Sequence, residues 1–552
     1  MPHDLVIRGG TIIDGSGEPG RSGDLAVDGD RLTQVGGRAG AGRREIDAGG
    51  LAVAPGFVDP HTHYDAQICW DPELTPSCWN GVTSVVMGNC GFTLAPCKAE
   101  GRDRIMRMLE RVEGMSLPAL RSGITWEWES FPQYLDAVAA MRPALNVGSL
   151  FGHSALRYYV LGDEAGERAA TTAEQARMQE LVREGMRAGA LGFSTSQAPT
   201  HFGGDGRPVP SRCAADDEVV GLAAVLGEFG RGAVQITAKN LTDVSVSIES
   251  ARRSGRPVTF LGAIRPDAAE QLAAARREGL RLVPQTSCRP TLTDFKLTAM
   301  GVFEQLPSWS RVMQADRAAL PAIFADPAFR AAFRQDVTGK SESYRLFKGD
   351  WDGVKILLAE RPALQPLIGK SIAEVAAERG GDPFEVFFDL ALEDDLAMEF
   401  SYCLAGDLQR RPTLLDDNYL IGLSDAGAHL TLLADHAYAT YFLGRWIRER
   451  GLMPLERAVR KLTAVPAELF GIKQRGMLNE GWYADVVLFD PSRVIDRETT
   501  LVYDLPGGGP RLLTRADGIE AVIVNGGVAV ERGELTGVRG GQVLRGSSET
   551  GC

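Results

Sequence analysis

Eight times between residues 51 and 427 a short β-rich run gives way to a segment of helical length and pattern. The runs are LAVAPGFVDPHTH, GVTSVVMGNCG, LNVGSLFGHS, GALGFSTS, GAVQITAK, PVTFLGAI, LRLVPQTS and YLIGLSDAG. Strands that alternate with helices pair in parallel, because each crossover returns the chain to the same end of the sheet. Eight such units are the number that closes a (β/α)8 barrel. All runs but the sixth finish on the C-terminal side in His, Cys, Ser, Thr, Lys or Asp. That rim is where such barrels keep their chemistry.

The chain is too long for the barrel alone: 552 residues against about 250 for a minimal (β/α)8 unit. Residues 1–53 hold short alternating runs punctuated by Gly and Asp-Gly turns (DLVIRGGTIID, DLAVDGDRLTQVG), and residues 477–552 repeat the texture in ADVVLFD and GIEAVIVNGGVAVER. Neither end has enough strands for a core of its own. We therefore expect an α/β chain: a (β/α)8 TIM barrel over residues 54–476, flanked by a small β-sandwich built from both termini. Residues 290–370 interrupt the βα rhythm with Trp- and Phe-rich helical text, read as an insertion or lid over the barrel mouth in preference to a long final crossover.

The charge balance, 59 Lys+Arg against 72 Asp+Glu for a net −13, leaves no basic stripe to track a nucleic-acid backbone. No apolar run reaches the roughly 18 residues of a membrane span, and MPHDLVIRGG lacks the features of a leader, so a cytoplasmic chain is expected. The eight cysteines form no CxxC pair, which argues against a disulfide framework or a zinc ribbon.

His61 and His63 close the first run. Residues i and i+2 of a strand point the same way, so both imidazoles face one point, as a divalent metal requires. An HxH triplet alone arises often by chance. Its place at a barrel-strand terminus, with Asp425 ending the last run, strengthens the metal reading.

GFVDPHTHYD, the late SDAGAH and the closing PAELFGI…GMLNEGWYADVVLFDP resemble the amidohydrolase superfamily, metal-dependent barrels flanked by a β-sandwich. Within it, GVTSVVMGNCGFTLAP is similar to the N-acyl-D-amino-acid deacylase (D-aminoacylase) branch, where a cysteine in the GNCG turn binds metal; that position is Cys90, otherwise a small buried thiol. The resemblance also implies histidines ending strands five and six, yet those runs read VQITAKN and VTFLGAI, and no histidine lies between His201 and His429. His61, His63, Cys90 and Asp425 remain as ligands for one zinc per chain, and a second metal would lack them. Other divalent metals share N and O donors, but a thiolate tilts the choice toward zinc.

Around these, Lys239 is open to three readings: a carboxylated bridging ligand, a cation for a substrate carboxylate, or a solvated loop lysine. Arg289 and Arg157 are the guanidinium candidates for a substrate carboxylate. His153, in a GHxxLR-like segment, His201, in a Gly/Pro-rich loop, and His429, four residues past Asp425, are candidate substrate contacts, each weighed against a structural or solvated role. His3 and His436 have no supporting context, and Asn80 stands where many relatives of the branch would carry histidine. The expected activity is hydrolysis of a C–N amide bond of an N-acyl D-amino acid, with zinc-activated water and Asp425 as general base. Hydrolysis or closure of a cyclic amide, imide or lactone is the second enzymatic reading, and a non-catalytic binding barrel the third. The partner expected is a small-molecule substrate, with a homo-oligomer as the default assembly.

Overall fold

The computed structural model describes residues 1–239, 243–261, 266–298, 302–339, 345–405, 407–430 and 435–546. Its central sheet runs in chain order through β1 (Phe57–Asp59), β2 (Val82–Met87), β3 (Asn146–Gly152), β4 (Gly192–Ser196), β5 (Ala233–Thr237), β6 (Val258–Leu261), β7 (Leu282–Thr286) and β8 (Leu420–Ile421). Every neighbouring pair is parallel. The two edges meet just past the ladders, where Thr62 bridges Ala426 and the His63 amide donates to the Ala426 carbonyl at 2.7 Å. The eight expected strands are thus present and the sheet curls into a barrel. The end of the sixth run, residues 262–264, and Asn240 of the fifth lie outside the described residues.

Local chemistry sets the boundaries. In β5, Val234 and Ile236 join the main apolar core, while the alternate residues Gln235 and Thr237 are buried on the other side of the pleat. Helix α1 (Arg102–Val112) follows β2, α2 (His153–Leu161) follows β3 directly, and α3 (Thr172–Ala188) leads into β4. Helix α3 begins in a reciprocal cap: Thr171 accepts from the Glu174 amide at 3.3 Å and Glu174 from the Thr171 amide at 2.7 Å, a device worth about 1 kcal/mol. Its buried face is Met178, Leu181, Val182 and Met186. The helix stops at Gly189, where φ is 111° and an added Cβ would come within 2.5 Å of the Arg545 side chain. Helix α4 (Asp216–Ala224) packs between β4 and β5 in sequence and supplies the buried Glu218.

Both ends of the chain share one nine-stranded sheet. Its order is Glu534–Leu535, Gly527–Glu531, Ile519–Val524, Val486–Phe489, Ala52–Pro55, His3–Ile12, Arg21–Asp28 and Arg31–Val35, with Gly42–Asp47 also paired to His3–Ile12. Leu25, Val27, Val486, Leu488 and Ile523 are fully buried in its core, each contributing about 1.5–3 kcal/mol by leaving water. Asn146 of β3 ties this sheet to the barrel, donating to Asp485 at 2.9 Å and accepting from Asn525 at 2.8 Å.

Pro290–Arg410 forms a separate compact unit. It starts where the sequence breaks rhythm and runs past residue 370, taking in the helices Ile372–Arg379 and Pro383–Glu393 and the strand Glu399–Ala405. That strand is the centre of a three-stranded antiparallel sheet with Thr291–Phe295 and Val354–Leu358. The core is aromatic: Phe303 meets Phe295, Phe333, Phe347 and Phe387 at centroid distances of 5.3, 5.2, 5.3 and 5.6 Å, all edge-on, the arrangement ring quadrupoles favour. Among the described residues, no helix is long and apolar enough to cross a membrane.

Candidate metal centre

The tripeptide His61-Thr62-His63 continues β1 beyond its ladder. Thr62 is bonded through its amide (3.0 Å) and its hydroxyl (2.9 Å) to the Val86 carbonyl of β2, and His63 is bonded to the β8 side through Ala426. Thr62 therefore faces away while the two imidazoles share one side, their centroids 5.3 Å apart. The His61 Nδ1 lies 2.7 Å from the Gln285 amide oxygen of β7, which assigns the proton to Nδ1 and leaves Nε2 free to ligate.

Cys90 sits on a left-handed turn after β2, with φ of 55° between Gly88 (77°) and Gly91 (78°). A Cβ on Gly88 would lie 2.5 Å from the Leu150 carbonyl, so only glycine fits there. A non-glycine residue in this conformation costs roughly 1–3 kcal/mol. The cost is offset by a closed ring of hydrogen bonds from β5: the Cys90 amide donates to Gln235 Oε1 at 2.6 Å, Gln235 Nε2 to Thr237 Oγ1 at 3.2 Å, and Thr237 Oγ1 to Cys90 Sγ at 3.3 Å. This fixes Sγ at 3.4 Å from His61 Nε2. Ligand atoms of His61, His63 and Cys90 all lie within 4.8 Å of one another, and all three residues are buried.

Asp425 also has a positive φ, 47°. Its Oδ1 lies 3.3 Å from His61 Nε2 and 3.6 Å from His63 Nε2. Burial raises its pKa, but His63 and His61 outweigh that and hold the carboxyl far below the ordinary range. Burial likewise pushes the Cys90 thiol up, and the two imidazoles reverse it to below its usual value. Against burial, which favours neutral imidazole, Cys90 raises the pKa of His61, and Glu113 with Asp425 and Cys90 raises that of His63 well above 6.5. Two imidazole nitrogens, an acidified thiol and an adjacent carboxylate are a donor set that fits a zinc-type ion.

Two groups here carry no motif. Glu113, just past the C-terminus of α1, is only 2% exposed, with Oε1 3.5 Å from His63 Nδ1 and Oε2 3.7 Å from His429 Nε2. Gln235 is the other, holding the Cys90 amide.

The remaining candidates are dispersed. His153 is fully buried, Nδ1 2.8 Å from Thr195 Oγ1 and Nε2 2.8 Å from Glu218 Oε1, so both ring nitrogens are engaged. Arg157 grips both oxygens of Glu218 at 2.5 and 2.6 Å and donates to the Ala165 and Arg168 carbonyls, leaving no fork for a substrate. Lys239 pairs at 2.7 Å with Asp216, both about half exposed. Arg289 lies between Asp435 (3.2 Å) and Asp496 (2.9 Å), above the Tyr441 ring. Asn80 is buried and bonded to Pro76, Thr440 and Thr514. His3 pairs with Asp28, and His436 accepts from the Thr514 amide. His201 and His429 are coupled electrostatically to the metal group. His201 is bonded to Ser196 at 2.7 Å, and its pKa is pushed down to about 3 by burial, with the charges of His429 and His63 adding. His429, its side chain 25% exposed, borders Glu113.

The comparisons with known proteins agree with this geometry. Residues 44–530 match the model of the amidohydrolase family. The chain is 32% identical to a D-aminoacylase of Alcaligenes xylosoxydans xylosoxydans over 99% of its own length and 98% of the relative's. It is 32% identical to an N-acyl-D-aspartate deacylase of the same organism, over 98% and 95%. The crystal structure of N-acyl-D-glutamate deacylase from Bordetella bronchiseptica, complexed with zinc and a phosphonate inhibitor that mimics the tetrahedral intermediate, superposes with a TM-score of 0.67 at 28% identity, covering 99% of this chain and 100% of that one. A metal-binding barrel rim, a cysteine turn and near-complete coverage by these relatives place the chain in the amidohydrolase family, in its D-aminoacylase branch.

Proposed function

We propose that the protein hydrolyses the amide bond of N-acyl D-amino acids at a single zinc held by His61, His63, Cys90 and Asp425, with Asp425 also as general base. The observation that carries this reading is the convergence of the His61, His63 and Cys90 ligand atoms within 4.8 Å of one another, with the Asp425 carboxylate 3.3 and 3.6 Å from the two imidazoles. When bound, zinc supplies acidification of water and polarisation of the scissile carbonyl. Asp425 is ionised in the neutral range: in the metal-free site His63 and His61 overcome burial and hold its carboxyl far below the ordinary value. Its carboxylate takes the proton from the attacking water and returns it to the leaving nitrogen, releasing a carboxylate and an amine. His201 is held neutral by burial and, with His429, lines the approach, so these two are the histidines assigned to substrate. Gln235 and Thr237 hold Cys90 from β5, the strand on which the branch places a histidine, which favours one metal over two.

The experiment is metal content by plasma mass spectrometry for wild type and Cys90→Ala, followed by hydrolysis of a panel of N-acyl-D- and N-acyl-L-amino acids and cyclic amides. About one zinc per chain, lost in the variant, with turnover confined to the D-acyl substrates, is the expected result. Turnover of ring substrates alone would overturn the substrate assignment, and a reconstituted wild type without metal would overturn the centre.

A further inference from the structure

We propose that Glu113 is a positioning residue of the metal centre: its carboxylate holds the Nδ1 side of His63, so that Nε2 is presented to Cys90 and Asp425, and it fastens His429 to the same place. The inference rests on His61, His63 and Cys90 being metal ligands. Three observations meet at this side chain. Glu113 is almost fully buried, and its ion-pair neighbours among the described residues are the two histidines, His63 at 3.5 Å and His429 at 3.7 Å. The Glu113 carbonyl accepts the backbone amide of His429, which stands at a left-handed φ of 49°. His63 Nδ1 is buried and has no hydrogen-bond partner among the described residues, with Glu113 Oε1 standing 3.5 Å away.

The chemistry explains why a carboxylate is placed there. A buried carboxylate is costly unless positive charge compensates it. An acid at the C-terminal end of α1 is also disfavoured by the helix dipole, so capping does not account for it. A ligating imidazole with its second N–H directed at a carboxylate has its tautomer and ring plane fixed and its other nitrogen made more basic. The two ligands differ in this support: His61 is backed by the neutral Gln285 amide at 2.7 Å, His63 by the Glu113 carboxyl group at 3.5 Å.

The test uses the full chain. The zinc dissociation constant is measured by competition with a chromophoric chelator for wild type, Glu113→Gln and Glu113→Ala, alongside melting of each metal-free protein. Loss of the carboxylate in Glu113→Ala is expected to weaken zinc by about 10–100-fold, with Glu113→Gln at about the lower limit because its amide oxygen still accepts a hydrogen bond. A purely structural role would lower the melting temperature of the metal-free variants and leave the zinc affinity of the folded protein unchanged. Should Glu113→Ala fail to fold, the isosteric Glu113→Gln decides alone. Wild-type zinc affinity in a folded Glu113→Gln overturns the proposal while the metal centre stands. A wild type that binds no zinc overturns the metal centre itself, and this proposal with it.

Discussion

Two buried histidine clusters stand at strand ends of the barrel, one after β1 and one after β3, and they differ in whether their polar atoms are satisfied. Around His153 both ring nitrogens, both Glu218 oxygens and the Arg157 fork are engaged within the protein. Around His61 and His63 the ligand atoms converge, with contacts of 3.3 to 3.6 Å among His61, His63, Cys90 and Asp425, a gathering that on the proposed function serves the metal. The electrostatics diverge accordingly. Burial, only partly countered by Glu218, lowers the pKa of His153, whereas thiolate and carboxylate neighbours raise those of His61 and His63. A closed network holds a fold and an open one holds a ligand.

The largest effects belong to the open cluster. Asp425→Asn keeps the shape and removes the base, so kcat/KM on an N-acyl D-amino acid should fall by about 10²–10⁴-fold while the circular dichroism of the folded enzyme stays that of wild type. An active variant would deny Asp425 its role. The closed cluster should respond in the opposite manner. Arg157→Met leaves Glu218 buried without its fork and should cost about 3–5 kcal/mol in urea unfolding, while the folded fraction retains zinc. Loss of zinc with little loss of stability would mean that the two clusters are one site.

Acidity separates them further. His153 has a lowered pKa, so its contribution to stability is complete above the unfolded value of 6.5 and declines as pH falls below it, where only the unfolded chain takes up the proton. Glu218, also lowered, adds a loss as pH falls from its unfolded value of 4.5 through its folded one. In the metal-free protein, His61 and His63 work the other way: raised pKa values contribute stability below 6.5 that is lost as pH rises through their folded values. Zinc requires them neutral and Cys90 ionised, so its binding releases protons. The rise in melting temperature on adding zinc should therefore grow between about pH 6 and 8. A constant increment would remove the distinction between the clusters.

Most of the scaffold was legible because parallel strands and their crossovers leave a strong rhythm; all eight runs contain the observed strands. The far end of the separate unit was less visible, since the helix-length text of residues 372–393 resembles ordinary crossover text. HxH, GNCG and SDAG were readable as motifs because each places a donor at a strand end. His153 and Arg157 had the same kind of motif, and only three-dimensional satisfaction distinguishes them. Glu113 was hidden among the charges of LERVEGM, its one signal being an acid at a helix C-terminus. Gln235 and Thr237 follow the strand alternation, but their hold on Cys90 joins residues 145 and 147 positions apart.

The smallest effect is expected at Lys239, which tests where the open cluster ends. Its pair with Asp216 is half exposed, and such pairs contribute about 0–1 kcal/mol. Lys239→Ala should therefore change stability by less than about 1 kcal/mol and leave zinc affinity unchanged. Kinetics carry the sharper information. If the ammonium is only a rim charge, kcat and KM both stay within about threefold of wild type. If it leaves Asp216 for a substrate carboxylate, KM rises with kcat unchanged, the signature of lost ground-state binding. That split would extend the open cluster from the metal to the end of β5, and would make an exposed ion pair, rather than either buried cluster, the point where the acid group of the substrate is recognised.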